Sequence, residues 1–453
     1  MNPDMLAPVD SKEGQTDLAN ARRFVERFGQ DVLYCCAWKK WLVWDGCRWK
    51  LDDTERIRRM AFKVSDELFS EARQSESKSG ALHAYRTGGK PGIDSMLSLA
   101  GSLVPVSPDD LDQDPWLINC PNGTVDLRTG ELLKHARSDM LTPMCPTQYK
   151  PESEAPIWRQ TLFDVFQSAA LVDYWQRLLG YVACGVVTEH VLPVLFGSGS
   201  NGKTTILEAW MDTLGPDYCT TQPADFLLQT RGDNHPTAIA NLKGKRLAVC
   251  SETGEDRRLN EPFVKELTGG GTLSARRMRE DLWQFSPTHT LMLVTNHKPK
   301  VSGTDGGIWR RLKLIPFNRV FNEDEQNKDL ASDLRVDHPG ILNWTVQGCR
   351  LWRDKGLAPP REVAEATACY RTDEDVLGAF IAERCNTGIQ HFKAKSSQLY
   401  KDYCEWCTET GERALSQTKF STKLKARGYE TIRNNGTWFV GIGLQADGRH
   451  GQV

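Results

Sequence analysis

Gly197-Ser198-Gly199-Ser200-Asn201-Gly202-Lys203-Thr204 is a complete GxxxxGK[ST] stretch, and its surroundings decide the fold. An apolar run over residues 191–196 leads into it and reads as a strand. The segment after it carries apolar residues at Ile206, Leu207, Trp210, Met211 and Leu214, the spacing of one helix face, and Gly215-Pro216 ends the pattern. Strand, glycine-rich turn and helix in that order bring backbone N–H groups and a helix N-terminus to face an anion. Lys203 is then expected to reach the β- and γ-phosphates of a nucleoside triphosphate, and the Thr204 hydroxyl to ligate Mg²⁺. With Thr205, the stretch forms the expected nucleotide-binding segment, and ATP with Mg²⁺ is the expected ligand. The plain alternative is a glycine-rich turn that holds nothing.

The chain has 453 residues, 39% of them hydrophobic, so cores are expected and a disordered or fibrous class is excluded. Residues 1–18 are polar and lack the apolar segment of a secretion signal. The most apolar stretch, residues 178–196, is interrupted by Glu189 and His190 and is too mixed to span a bilayer, so no membrane partner is expected. Thirteen cysteines scattered from Cys35 to Cys407 read as reduced thiols of a cytosolic protein. Cys404-Glu405-Trp406-Cys407 has no second pair at ligand spacing, so helix-face thiols are expected there rather than zinc. A formal net charge of −2 gives no global sign of nucleic-acid binding; DNA contacts must come from local basic patches.

Residues 40–49 read as a hairpin turning at Asp45-Gly46, residues 53–73 as a charged helix and residues 75–92 as a polar loop. Asp112-Gln113-Asp114 reads as a solvated acidic loop rather than a metal site. Residues 151–190 look helical, with Trp158, Leu162, Phe166, Tyr174, Leu178 and Leu179 on one face. Beyond the phosphate loop, residues 246–252 form an apolar strand ending in Glu252, with Glu255 just beyond. An acid there suits a Mg²⁺-holding or water-polarising role, and a surface turn with ordinary acids is the alternative. The next strand ends in Asn296, an amide suited to orienting water near a γ-phosphate, although Asn also favours turns after strands. Arg310 and Arg311 follow and could act on a neighbouring subunit's ATP; taken alone they also suit a surface ion pair.

Between the acid and amide strands, residues 268–285 read as two short strands around a charged tip. Arg276, Arg277 and Arg279 are candidate contacts to single-stranded DNA, with Glu280 and Asp281 at the same tip. Residues 416–428 open with a serine cap and close with a glycine, burying Phe420 and Leu424 and leaving Lys419, Lys423, Lys425 and Arg427 on the polar face. Two strands follow around Asn434-Asn435-Gly436. Helix then hairpin is a winged-helix pattern, suited to a DNA groove or to a protein surface.

The run from Gly197 to Phe317 closely resembles the superfamily 3 helicases of the AAA+ class, in particular the helicase part of phage and plasmid primase–helicases related to the poxvirus primase–helicase. The resemblance is carried by the phosphate loop, Ser251-Glu252-Thr253-Gly254-Glu255, Leu267-Thr268-Gly269-Gly270 with Ala275-Arg276-Arg277, Thr295-Asn296-His297-Lys298-Pro299, and Gly307-Ile308-Trp309-Arg310-Arg311-Leu312. It extends to Asn122-Gly123-Thr124-Val125-Asp126-Leu127, similar to the accessory domain that precedes such helicases.

The implied architecture is α/β: an N-terminal α+β accessory domain (1–150), a helical collar or oligomerisation segment (151–190), an AAA+ type P-loop ATPase core (191–355) and a C-terminal winged helix (365–453). The resemblance implies that Glu252 is the Walker B acid and Mg²⁺ ligand, with Glu255 assisting. It also makes Asn296 the sensor, Arg311 the first and Arg310 the second candidate for an arginine finger. Lys419, Lys423 and Arg427 join the hairpin arginines as DNA-contact candidates. The implied function is an ATP-dependent replicative DNA helicase of a phage, prophage or mobile element. It would act as a homo-oligomeric ring, a hexamer, on single-stranded and forked DNA in the cytoplasm of a bacterial host. The alternative is an ATP-gated origin-binding initiator or helicase loader. The first 150 residues hold no cysteine–histidine cluster, so a separate primase is an expected partner.

Overall fold

A computed structural model of the chain describes residues 8, 11–229, 236–251, 254, 257–276, 281–301, 306–388 and 391–445. Its first unit comprises α1 (Asp17–Phe28), β1 (Val32–Cys35), β2 (Lys40–Trp44), β3 (Trp49–Leu51), α2 (Arg56–Gln74), α3 (Lys78–Gly88), α4 (Lys90–Gly101) and β4 (Pro105–Val106). The strands form one sheet in the order β3-β2-β1-β4. Helix α2 exists because Ile57, Met60, Ala61, Val64 and Leu68 repeat at helical spacing, and all five are buried. The polar segment 75–92 is not a loop. Ser77 caps α3 by accepting from the Gly80 amide, Pro91 sits in the first turn of α4, and Ala84, Ile93 and Met96 close the core beneath them.

The chain then forms an antiparallel sheet, β5 (Leu117–Cys120), β6 (Gly123–Asp126) and β7 (Glu131–Leu133), followed by α5 (Pro156–Phe166) and α6 (Ala169–Cys184). Asp112, just before this sheet, is not a solvated acid. Its backbone is left-handed (φ 56°), and its carboxylate accepts from the Thr142 amide (2.7 Å) and hydroxyl (2.5 Å). Burial raises its pKa above the usual carboxylate range. Asp114 instead pairs with Arg128 (2.7 Å).

The strand and helix expected around the phosphate loop are β8 (Leu192–Phe196) and α7 (Lys203–Leu214). Next come β9 (Cys219–Gln222), α8 (Pro236–Ala240), β10 (Leu247–Ser251), α9 (Glu261–Leu267), the pair β11 (Leu273–Ala275) and β12 (Trp283–Phe285), β13 (Thr290–Thr295), α10 (Gly306–Trp309), β14 (Leu312–Pro316), α11 (Leu330–Val336) and α12 (His338–Lys355). Five of these strands make one parallel sheet in the order β14-β8-β13-β10-β9. A parallel strand covered on both faces must be apolar throughout, and β13 is buried at every position.

Helices α5, α6 and α12 cover one side of this sheet, and Ile118, Cys120, Val125 and Leu127 of the β5–β7 region share their core. The first 150 residues are therefore divided among three cores, one of them gathered around Cys35, Leu42, Trp44 and Trp49. Helix α6 buries ten of its residues and is an internal packing element, whereas Phe163 on α5 stays exposed. Tyr218 Oη accepts from the Asn119 amide (2.9 Å), and Arg48 pairs with Asp217 (2.6 Å), tying the early strands to the parallel-sheet core.

His289, beside β13, is 1% exposed, and neither ring nitrogen has a hydrogen-bond partner among the described residues. Burial lowers its pKa to about 4. The unfolded chain therefore takes up a proton near pH 6.5 that the folded chain refuses until about pH 4. Stability from this group is complete above pH 6.5 and falls with acidification, by about 2 kcal/mol at pH 5. Urea midpoints at pH 7 and pH 5 should show this loss, and His289→Leu should reduce it; an equal loss in both proteins would contradict the assignment.

The final segment contains α13 (Arg361–Asp373), α14 (Val376–Arg384), β15 (Cys385–Thr387), β16 (Lys393–Lys395), α15 (Ser396–Thr410), α16 (Gln417–Ala426), β17 (Thr431–Arg433), β18 (Thr437–Val440) and β19 (Ile442–Leu444). Helix α13 lies along β14, where Thr367 Oγ1 accepts from the Leu314 amide (3.0 Å). The rest closes a separate core in which the rings of Phe380, Tyr403 and Phe420 meet. Helix α16 and the β17–β18 hairpin follow the order read from the sequence, with Phe420 and Leu424 buried. Cys404 and Cys407 are free thiols on α15, Cys407 buried and Cys404 half-buried.

Candidate nucleotide site

The loop between β8 and α7 rims a cavity of about 360 Å³ lined by residues 199–205, Ser251, Val294, Thr295 and Asn296. Its shape follows from the strand register. β8 runs parallel to β13 with Phe196 opposite Thr295, so the chain leaves both strands at one level and Asn296 arrives beside the loop. At the start of α7, Gly202 has φ 78°, and a Cβ there would meet Val165 Cγ2 at 2.6 Å, so this position needs glycine. Asn201 pins the loop from within, its Nδ2 donating to the Phe317 carbonyl (3.3 Å). The Phe321 amide, past the end of β14, donates to the Ser200 carbonyl (2.8 Å).

Lys203 is 4% exposed. Its ammonium donates to the Gly197 carbonyl (2.8 Å), Asn201 Oδ1 (3.0 Å) and Asn296 Oδ1 (3.1 Å). All three acceptors are neutral oxygens. Burial lowers the lysine pKa, since the positive charge is removed from water and its three described partners carry no counter-charge. A phosphate entering the cavity would supply that counter-charge. Thr204 is exposed in the first turn of α7, and Ser251 ends β10 at the same cavity. Such hydroxyl oxygens suit Mg²⁺, which needs few protein ligands and keeps several waters. The expected acids Glu252 and Glu255 lie outside the described residues, immediately beyond the end of β10.

The structure thus brings Lys203, Thr204, Ser251 and Asn296 to one cavity. It also reveals Thr295, 1% exposed, whose hydroxyl donates to the His297 carbonyl (2.6 Å) and accepts from the His297 amide (3.0 Å). This closes the turn that presents Asn296. A hydroxyl residue ending a strand before Asn was the available sequence signal.

The two arginines separate. Arg311 is buried, donating to Thr268 Oγ1 (3.1 Å) and the Gly307 carbonyl (2.7 Å), while Arg310 is exposed. β14 pairs with β8 from Leu312 opposite Leu192 to Pro316 opposite Phe196. Both arginines therefore sit at the sheet end away from the phosphate loop, about 15 Å distant at about 3.3 Å per residue.

Among the DNA-contact candidates, Arg276 is exposed where β11 ends, and Arg277 and Arg279 lie outside the described residues. Lys419 is exposed on α16. Arg427 is ion-paired with Asp375, and Lys423 is half-buried near Asp375 and Glu261, so these two face carboxylates of their own chain.

Residues 21–167 match a family model described as D5 N terminal like, and residues 195–311 match a family of unknown function. The chain is 28% identical over 326 residues to a "Putative helicase" of Acanthamoeba polyphaga mimivirus, covering 66% of this chain and 33% of that protein. It is 24% identical over 330 residues to a "Putative primase" of African swine fever virus, covering 65% of this chain and 34% of that one. The chain thus spans about a third of the length of these relatives. The apo structure of the NrS-1 C terminal region shares its fold, with a TM-score of 0.52 at 12% identity over 94% of this chain and all of that one. Among the described residues, no helix is long and apolar enough to cross a membrane.

Proposed function

We propose that the chain is an ATP-driven DNA helicase with an AAA+ type core, acting in replication as a ring of identical subunits, a hexamer in the resemblance, on single-stranded and forked DNA. The carrying observation is the buried Lys203 ammonium, held by three neutral oxygens, one of them Asn296 Oδ1, at the rim of a cavity sized for phosphates. The names of the viral relatives point the same way. Lys203 and the loop amides bind the triphosphate, Asn296 orients the reacting end, and Glu252 with Glu255 supplies the acid. Mg²⁺, held by the Thr204 hydroxyl and Glu252, would neutralise charge on the transferring phosphoryl group.

The finger is assigned to Arg310 rather than Arg311. Arg310 is exposed and too far from its own loop to serve it, so its target is a neighbour's triphosphate. Arg311 acts as the internal brace of that turn. A collar contact between subunits falls to α5, whose Phe163 is exposed, since α6 is taken up inside the subunit. The β11–β12 hairpin, through Arg276 with Arg277 and Arg279, and the winged helix at α16, through Lys419, are the DNA-contacting elements. The test is ATP hydrolysis stimulated by single-stranded DNA together with displacement of a forked strand, both lost in Lys203→Ala. Hydrolysis indifferent to DNA, with no displacement, would overturn the helicase reading.

A further inference from the structure

The turn that follows Asn296 is fastened to α13. Lys298 Nζ pairs with Asp373 Oδ2 at 3.1 Å and lies over the rings of Phe196 (5.2 Å) and Tyr370 (5.5 Å). Tyr370 Oη donates to the Pro299 carbonyl, and Glu374 Oε2 accepts from the Val301 amide (2.8 Å). Three parts of the segment 298–301 are therefore held by the last turn of α13 and the residue that caps it, Glu374.

That helix end leads directly into the C-terminal unit. Asp375 caps α14 by accepting from the Gly378 amide (3.1 Å), and the same carboxylate oxygen is paired with Arg427 at the end of α16. The basic helix is thus held by a residue two positions beyond the partner of Lys298. Tyr370 also packs edge-on against Trp309 (5.3 Å), next to Arg310, so α13 touches the turn bearing the proposed finger as well.

The phosphate site has a reason to pull on this arrangement. A lysine ammonium has three N–H donors, and all three of Lys203's are engaged. A phosphate oxygen that accepts from Lys203 must displace one of them. Two of the acceptors belong to the loop itself, where Asn201 is fixed to Phe317. The bond to Asn296 is the one that crosses to another strand, so it is the one whose exchange for phosphate would reach the Asn296 turn.

We propose that Lys298 is a positioning residue that carries this exchange from the Asn296 turn to the end of α13, so that the grip of Asp375 on α16 depends on whether the phosphate site is filled. This rests on the nucleotide reading above. It makes the basic helix respond to the triphosphate across contacts that are continuous in space and not merely intermediate in position.

Hydrogen exchange of the peptide 417–427, with and without ATPγS, tests it in the full-length protein. In the wild type, exchange should change on the order of tenfold on ATPγS binding. Lys298→Met keeps the stem between Phe196 and Tyr370 but removes the charge. It should reduce the change to less than about twofold and lower kcat about tenfold, with ATPγS affinity within about threefold. Lys298→Arg should restore the response, since a guanidinium both stacks and pairs. Asp373→Asn reads the same pair from its other side should Lys298→Met fail to fold. A full response surviving in Lys298→Met or Asp373→Asn, or no response in a wild type that binds ATPγS, would overturn the proposal alone. A wild type that binds no ATPγS would overturn the nucleotide reading with it.

Discussion

Lys203→Ala is expected to lower ATP hydrolysis by about 10²- to 10³-fold while leaving the fold intact. The ammonium is the single buried cation of the cavity among its described lining residues, and its partners are oxygens that carry no formal charge. Removing it withdraws the group that meets developing phosphate charge in a water-poor site. Stability should change little. A buried ammonium that has no carboxylate partner among the described residues is costly to keep, so its loss offsets part of the space left behind. Lys203→Met, which keeps most of the volume, should be equally inactive and at least as stable as the alanine variant. Steady-state hydrolysis and thermal unfolding of the two variants check both halves. Hydrolysis within tenfold of wild type would place the chemistry elsewhere.

Gly180→Val should be the most damaging substitution outside the site, on the order of 3 kcal/mol. A Cβ at Gly180 of α6 would meet the Cys349 backbone nitrogen of α12 at 2.1 Å, and one at Gly348 would meet the Gln176 carbonyl oxygen at 2.2 Å. The two helices touch backbone to backbone, and rigid backbone cannot yield as a flexible side chain can. They would have to separate, opening the core that holds Trp158, Trp175 and Trp344 together. The strand carrying the phosphate loop leans on the same core through Leu195, so nucleotide binding should weaken along with stability. Urea denaturation measures the effect, and a loss below about 1 kcal/mol would mean that the helices part without cost.

The local elements were legible because their signals are local. The helix read after the phosphate loop is α7, since its apolar spacing and the Gly215-Pro216 stop lie within one segment. The strand read to Val440 around Asn434-Asn435-Gly436 is β18, set by turn chemistry. Helices α3 and α4 were missed because glycines and polar residues lower intrinsic helix propensity there, while packing against α2 and the buried Ala84, Ile93 and Met96 override it. Asp112 looked solvated because nothing nearby in sequence announces Thr142, thirty positions on, as its donor.

At the site, the residue types and their order were readable, and the approach of Asn296 to Lys203 is consistent with that order. The different burial of Arg310 and Arg311 was not. Neighbouring identical residues differ only in which way the chain turns after α10. The Lys298–Asp373 pair joins positions 75 apart and leaves no trace in spacing.

An ATP site completed by a neighbouring subunit can be probed by mixing two inactive proteins. Lys203→Ala subunits have a dead phosphate loop and an intact Arg310; Arg310→Ala subunits have the reverse. Each alone should hydrolyse ATP at the background rate with single-stranded DNA present. Mixed and allowed to reassemble, they should regain hydrolysis wherever an intact loop meets an intact arginine. A mixture as inactive as its components, under conditions where the two demonstrably co-assemble, would contradict the shared site.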